Sequence, residues 1–223
     1  MSSHDIYIAL IRTNTKSGKF FRFFSGRDAY PYTHAAVSFD NTFRDFYTFG
    51  RKHLNLPFDG GFVDNKRDFY AFGKYNSFNL KVFRLTVFDK AYQDICTFVD
   101  ECSKDKKLKT NCFSTGLMPL FHGFRIRKTM NDIQFCTRIA YMSGLIEEEN
   151  PRPYWRVSVR QLDDMMTESR LMLFESELLR ENTYEYMEYS RPYNFFVKLG
   201  SFFKMFGSQI GRIFMGIFTQ SFD

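Results

Sequence analysis

The chain has 223 residues, a net charge of +6 and 44% apolar residues, and phenylalanine alone accounts for 29 positions. This length fits one domain with an appended segment, and the apolar content excludes a chain that is disordered throughout. The basic balance favours acidic partners, such as an anionic lipid or a bacterial wall polymer. Because the sequence has no RNP motif, no zinc-finger spacing and no dense Lys/Arg block, it disfavours nucleic acid as the partner.

The N-terminus and the cysteines indicate the compartment. The first residues contain no basic segment followed by an apolar run, so no signal peptide is expected. No pair of cysteines has CxxC spacing, which favours free thiols in a reducing environment. The four are Cys96, Cys102, Cys112 and Cys136. We therefore expect a cytoplasmic protein that could associate with the periphery of a membrane.

Hydrophobic periodicity and turn signals predict an α+β fold, with an antiparallel sheet packed against helices. The expected strands are residues 6–12, 33–39, 43–49, 80–87 and 171–179. The expected helices are residues 89–106, 110–121 and 135–145, with a shorter one beginning within 19–24. Asp40-Asn41 would turn the chain between the second and third strands, which makes these two strands a hairpin. Residues 57–61 are expected to form a loop.

A shift in composition near residue 181 divides the chain. We expect a domain over residues 1–180, a polar linker over 181–193 and an amphipathic, aromatic-rich helix over 194–223. The helix has an apolar stripe on one side and cations such as Lys198 and Lys204 on the other. This pattern is typical of a helix in a membrane interface, but it also fits a helix packed on the domain or on another chain. A membrane surface or a protein partner, bound through residues 194–222, is therefore expected.

Cys136 and His34 are the candidate nucleophile and base. Cys136 lies where a helix is expected to begin, and free N–H groups with the helix dipole would lower the pKa of its thiol there. His34 begins a strand, which is a rigid position for an imidazole. The alternative is that Cys136 is a small core residue, as most cysteines in such a pattern are. No histidine clusters with carboxylates at ligand spacing and no nucleotide motif occurs, so neither a metal nor another cofactor is expected.

Four stretches resemble a circularly permuted NlpC/P60 (papain-like) family of bacteria and phages, related to the YiiX-like hydrolases. Residues 6–15, with Arg22, resemble its opening strand and turn, and residues 32–40 resemble its "YTHVSIALD". Residues 46–52 and 60–63 resemble "YSFGRK" and "GGFV", and residues 135–145 resemble "FCSEFVAxxLxxSG". The resemblance spans residues 5–180 or so and implies a permuted papain-like fold.

The resemblance also implies the roles of the site residues. It makes Cys136 the nucleophile, His34 the base and Thr48 the third member, with Asp45 as the alternative if the register of the hairpin differs. A hairpin turning at Asp40-Asn41 would bring Tyr47 or Thr48 opposite His34. Thr137 and Arg138 replace the family's usual Ser-Glu, and Arg138 could bind an anionic group of the substrate. Tyr47, Thr137 and Arg138 are therefore the expected substrate-binding residues.

Two functions follow from this pattern. The first is a cysteine hydrolase or acyltransferase, of the peptidase or amidase type, which would act on an amide or ester bond of a peptidoglycan peptide, another peptide or a lipid acyl group. The alternative is a catalytically inactive papain-like domain that binds a membrane or a partner through its C-terminal helix.

Overall fold

The computed structural model describes residues 2–12, 30–71, 76–111, 126, 128–146, 152–181 and 191–219. For residues 57, 58 and 215–219 it describes the backbone alone. The short helix expected within 19–24 lies outside these residues, as does nearly all of the helix expected at 110–121.

The described residues form an α+β structure with one mixed eight-stranded sheet and four helices. The strands are β1 (Ser3–Arg12), β2 (His34–Ser38), β3 (Asp45–His53), β4 (Leu56–Lys66), β5 (Ser77–Phe88), β6 (Lys109–Thr110), β7 (Thr129–Met130) and β8 (Met172–Leu179). The helices are α1 (Asp89–Lys104), α2 (Asp132–Met142), α3 (Val159–Glu168) and α4 (Phe195–Thr219). The strand order is β7-β6-β4-β3-β2-β1-β5-β8, and all neighbouring pairs are antiparallel except β6 and β7.

The apolar run in β1 explains why this strand lies inside the sheet, with both faces covered. Ile6, Ile8 and Leu10 belong to a core cluster that also contains residues of α1, α2 and α3. The alternate residues, such as Ala9 and Ile11, belong to a second cluster on the opposite face. Such continuous burial is typical of a strand with cover on both sides. β1 therefore fixes the position of its neighbour β2.

A capping box sets the start of α2. The Asn131 side chain accepts a hydrogen bond from the Gln134 N–H, and the Gln134 side chain accepts one from the Asn131 N–H. This reciprocal pairing satisfies two of the four N–H groups that a helix start leaves without an intrahelical acceptor. The helix begins at Asp132, three residues before the predicted start at residue 135. That prediction was wrong because the polar residues before Phe135 form the cap and the first turn rather than a loop.

Some of the other strands and helices match the elements predicted from the sequence, and others do not. The strands predicted at 6–12 and 80–87 correspond to β1 and β5, and the helix predicted at 89–106 corresponds to α1. The expected loop at 57–61 was wrong, because these residues lie within β4. The helix α3 was not predicted, although Ser158 and Gln161 form a capping box at its start.

Two polar side chains join helix α4 to the body of the protein, and Phe202, Ile210 and Ile213 are half-buried. The Gln209 side chain is buried and donates a hydrogen bond to the Thr110 carbonyl oxygen at 2.9 Å. The Arg212 guanidinium donates to the carbonyl oxygens of Lys128 and Lys107 at 2.6 and 2.9 Å. These bonds fix which side of the helix faces the sheet. Among the described helices, none is both long enough and apolar enough to cross a membrane.

Candidate functional site

His34 is the first residue of β2 and pairs in register with Ile11 of β1. Its side chain is 16% exposed. Both ring nitrogens are used, because the ring bonds to Asp132 on one side and to Thr48 and Tyr70 on the other. The strand and these three contacts hold the imidazole in one orientation.

Asp132 is the side chain that meets the Nδ1 side of this ring. Its Oδ2 lies 2.5 Å from His34 Nδ1, and the same oxygen accepts a hydrogen bond from the Ala35 N–H at 3.1 Å. The Asp132 side chain is only 9% exposed. As the first residue of α2, Asp132 also lies at the positive end of the helix dipole, which favours a negative charge. Asp132 therefore joins the start of α2 to the start of β2.

Thr48 and Tyr70 meet the opposite nitrogen. The distances from His34 Nε2 are 3.3 Å to Thr48 Oγ1 and 3.3 Å to the Tyr70 hydroxyl. Thr48 Oγ1 also donates to the Ala35 carbonyl oxygen at 2.7 Å. A threonine hydroxyl has one proton, so toward His34 it can only accept. The Tyr70 hydroxyl can either donate to Nε2 or accept from it.

The register between β2 and β3 differs from the one expected. Val37 pairs with Tyr47, and continuing this antiparallel register places Gly50 opposite His34. Neither Tyr47 nor Thr48 is therefore directly opposite His34, and Thr48 reaches the ring from a diagonal position on the neighbouring strand. Asp45, the alternative third residue, forms an ion pair with Lys66 across β3 and β4.

The surroundings of Cys136 differ from those expected at a helix start. Cys136 is the fifth residue of α2, so its N–H belongs to the regular helix ladder and is not free to bind an oxyanion. The side chain has 0% exposure, and burial, with a smaller contribution from the negative charge of Asp132, raises the pKa of the Cys136 thiol. The expectation of a lowered pKa was wrong for this reason. Within the described residues no hydrogen bond joins Cys136 to His34, and its role as the nucleophile stays a prediction.

The three expected substrate-binding residues lie in separate environments. The Tyr47 ring packs against Phe39 and Phe62. Thr137 is buried, and its hydroxyl has no hydrogen-bond partner among the residues that the structure describes. The Arg138 guanidinium lies 4.3 Å from the centre of the Phe98 ring, as in a cation–π contact. Their part in binding a substrate also stays a prediction.

Asp132 and Tyr70 are absent from the predicted site. For Asp132 a signal was present, because Asn131 and Gln134 have the spacing of a capping box and place the helix start at residue 132. Tyr70 follows a short 3-10 turn after β4, and no local pattern in the sequence connects it to His34.

The described residues contain no group of three or more side chains suited to a metal ion. The described cysteines, Cys96, Cys102 and Cys136, are free thiols. No known protein family, curated protein or solved structure matches the chain.

Proposed function

We propose that this chain binds an anionic membrane surface through the outer face of α4, and that the rest of the chain is a papain-like domain that does not use Cys136 as a nucleophile. The observation that carries the proposal is the orientation of α4. Its polar residues Gln209 and Arg212 bond to the body of the protein, while five of its phenylalanines are exposed and Phe202 is half-buried. An amphipathic helix whose partner was the sheet itself would be turned the other way.

Six exposed apolar residues of α4 form a stripe on one side of the helix. At about 100° per residue they fall within an arc of about 100°, which excludes Gln209 and Arg212. They are Phe195, Phe196, Leu199, Phe203, Phe206 and Phe214, and each is between 38% and 79% exposed. A contiguous exposed patch of this kind marks an interaction surface rather than scattered surface residues. Large aromatic side chains on one face are typical of a helix that lies in a membrane interface.

The charges near α4 favour an anionic surface. Arg212 bonds to backbone atoms of two exposed lysine residues, so the end of α4 lies beside a basic cluster. The cluster consists of Lys106, Lys107, Lys109 and Lys128, all exposed. Asp105 is an acid that lies near Arg212, whereas residues 194–222 of the sequence contain no acid. Each lysine near an anionic lipid surface contributes on the order of 1 kcal/mol of attraction.

The hydrolase hypothesis rests on a different observation, the contact of His34 with Thr48. It requires a reactive thiolate at Cys136, whereas the thiol is buried and its pKa is raised. Because the thiolate is the nucleophile, this environment disfavours acyl transfer. The hydrolase hypothesis would be supported if a thiol-directed acyl probe labelled Cys136 in the folded protein and if Cys136→Ala lost that labelling.

Sedimentation with vesicles tests the membrane proposal. We expect the full chain to bind vesicles containing anionic lipid more tightly than neutral ones, and to bind less at high salt, because salt screens the lysine cluster. The double variant Phe196→Ser/Phe203→Ser should bind at least about 10-fold more weakly, since burying one phenylalanine contributes roughly 1.5–3 kcal/mol.

A matched control removes two exposed apolar side chains from other elements. Phe88→Ser/Leu179→Ser fits, because these side chains are 63% and 69% exposed. It should bind vesicles as the wild type does. The proposal would be overturned if both double variants lost vesicle binding equally, or if the wild type did not bind anionic vesicles. The aromatic stripe would then be a surface for a protein partner.

A further inference from the structure

Asp132 contacts His34 Nδ1 from the first turn of α2. We infer that Asp132 occupies the place of a nucleophile in a site that is otherwise assembled for thiol chemistry, so that a cysteine at this one position would react as a His34-activated thiol. The inference concerns α2 and β2 and is independent of α4.

Residue 132 lies within hydrogen-bond distance of His34. A nucleophile and its histidine base lie within hydrogen-bond reach of each other. Asp132 Oδ2 meets this condition at 2.5 Å from His34 Nδ1. A side chain from residue 132 thus reaches the base directly, from the first turn of a helix.

The second support is the state of the histidine. Because Thr48 donates its only hydroxyl proton to the Ala35 carbonyl, its oxygen can act only as an acceptor toward His34 Nε2. In the neutral imidazole one nitrogen has the proton and the other is the acceptor. The ionised carboxylate of Asp132 also only accepts, so in the native protein it holds a proton on Nδ1. When residue 132 has no carboxylate, the contact with Thr48 favours the tautomer with the proton on Nε2, in which Nδ1 is free to take a proton from residue 132.

The third support is the start of the helix. The capping box occupies the N–H groups of Asn131 and Gln134. The N–H groups of Asp132 and Ile133 are the other two at this helix start that have no acceptor within the helix. Donors in this position stabilise a thiolate and can hold the oxyanion that forms when a carbonyl is attacked. Cys136, one turn further on, does not have this advantage.

The number of residues between position 132 and Ser143-Gly144 matches the spacing in the family motif. In the motif "FCSEFVAxxLxxSG" the cysteine precedes the final Ser-Gly by eleven and twelve residues. In this chain Asp132, not Cys136, lies eleven residues before Ser143 and twelve before Gly144. The resemblance at Phe135-Cys136 is therefore displaced by four residues, which is about one helical turn. In this register Gln134 and Phe135 align with the Glu-Phe of the motif.

The variant Asp132→Cys tests the inference by alkylation with iodoacetamide. The introduced thiol gives its proton to His34 Nδ1, the thiolate sulfur forms a bond to the methylene carbon, and iodide leaves. Mass spectrometry of the digested protein identifies the alkylated position. At pH 6 we expect residue 132 to be labelled at least about 10-fold faster in Asp132→Cys than in Asp132→Cys/His34→Gln. The reason is that a lower thiol pKa increases the thiolate fraction more than it reduces the nucleophilicity of the thiolate. We expect no comparable labelling of Cys136 in the wild type.

Two results would overturn the inference. One is an introduced thiol that reacts at pH 6 at the same rate with and without His34, and the other is rapid labelling of Cys136 in the folded wild type. If Asp132→Cys does not fold, as judged by circular dichroism, long-range proton–nitrogen NMR of Asp132→Asn decides. A neutral His34 with its proton on Nε2 would uphold the inference, and a proton on Nδ1 alone would refute it.

Discussion

Asp132 and His34 form a hydrogen-bonded pair that is largely removed from solvent, with side chains that are 9% and 16% exposed. Removing polar or charged groups from water has a cost that the contact between them offsets only when the geometry is good and the other polar atoms are satisfied. Here the remaining bonds to Ala35, Thr48 and Tyr70 meet that condition. Loss of one partner would leave a buried polar group without its counterpart.

A double-mutant cycle tests this pair. Asp132→Ala and His34→Ala should each lower the free energy of unfolding by about 3–5 kcal/mol, because each leaves a buried partner. The double variant should lose at least about 2 kcal/mol less than the sum of the two. Urea unfolding measures all four proteins.

The exposed i,i+4 pair of Lys104 and Asp100 is the matched control. Its coupling energy should not exceed about 0.5 kcal/mol, as is usual for exposed helix pairs. A coupling as small as this between Asp132 and His34 would contradict a tightly joined site.

The two buried thiols predict how stability depends on pH. Burial raises the pKa of Cys136, and it raises the pKa of Cys102 to about 12. An unfolded cysteine titrates at about 8.5. Above this pH the unfolded chain loses a proton that the folded chain keeps, so the stabilisation present below pH 8.5 is lost as pH rises toward the folded pKa.

The expected loss is up to about 1.4 kcal/mol per pH unit for each thiol. Urea unfolding between pH 7.5 and 9.5 measures the slope, and Cys136→Ala should have a shallower slope than the wild type. A steeper slope in the variant would mean that the folded protein favours the ionised Cys136 thiol, as a resting nucleophile would. An unchanged slope would mean that the thiol binds its proton equally in both states, which would contradict the raised pKa.

Among the elements, α2 and α4 show where sequence patterns succeed and where they fail. The apolar stripe of α4 could be predicted from periodicity, since its residues recur every three or four positions. Its orientation could not be predicted, because the sequence does not show which side the sheet binds. That choice depends on Gln209 and Arg212, which meet carbonyl oxygens of Thr110, Lys107 and Lys128 far away in the chain.

For α2 the existence of a helix could be predicted, but its first residue could not be read from apolar residues alone. The capping box of Asn131 and Gln134 adds a turn before Phe135. This turn is decisive for the site, because it moves Cys136 into the body of the helix and puts Asp132 at its start. An error of one turn therefore changes which side chain faces His34.

Across the whole molecule, the order of strands and helices around the site could be predicted in large part. The strands β1, β2, β3 and β5 and the helix α1 have strong local patterns, and His34 lies at the start of its strand as expected. Contacts between distant segments could not be predicted in the same way. Tyr70 and Asp132 reach His34 from positions 36 and 98 residues further along the chain, and only the folded sheet brings the three together.

The side chains around His34 are largely buried, whereas the aromatic stripe of α4 is exposed. The interior contains His34, held by Asp132, Thr48 and Tyr70, and a thiol with no exposure at Cys136. The surface presents the aromatic stripe of α4 beside exposed lysines. We propose that the hydrogen bonds around His34 support the fold, while the exposed face of α4 makes the contact with the membrane.

Depth-dependent quenching of a single tryptophan on α4 tests this account most directly. In a Trp155→Phe background, tryptophan is introduced either in the stripe by Phe203→Trp or outside it by Ser208→Trp, where the native residue is also exposed. With anionic vesicles that contain brominated lipids, the account predicts a blue shift and strong quenching for Phe203→Trp and little change for Ser208→Trp. Equal quenching of the two, or none for Phe203→Trp, would contradict the claim that the aromatic face of α4 enters the membrane.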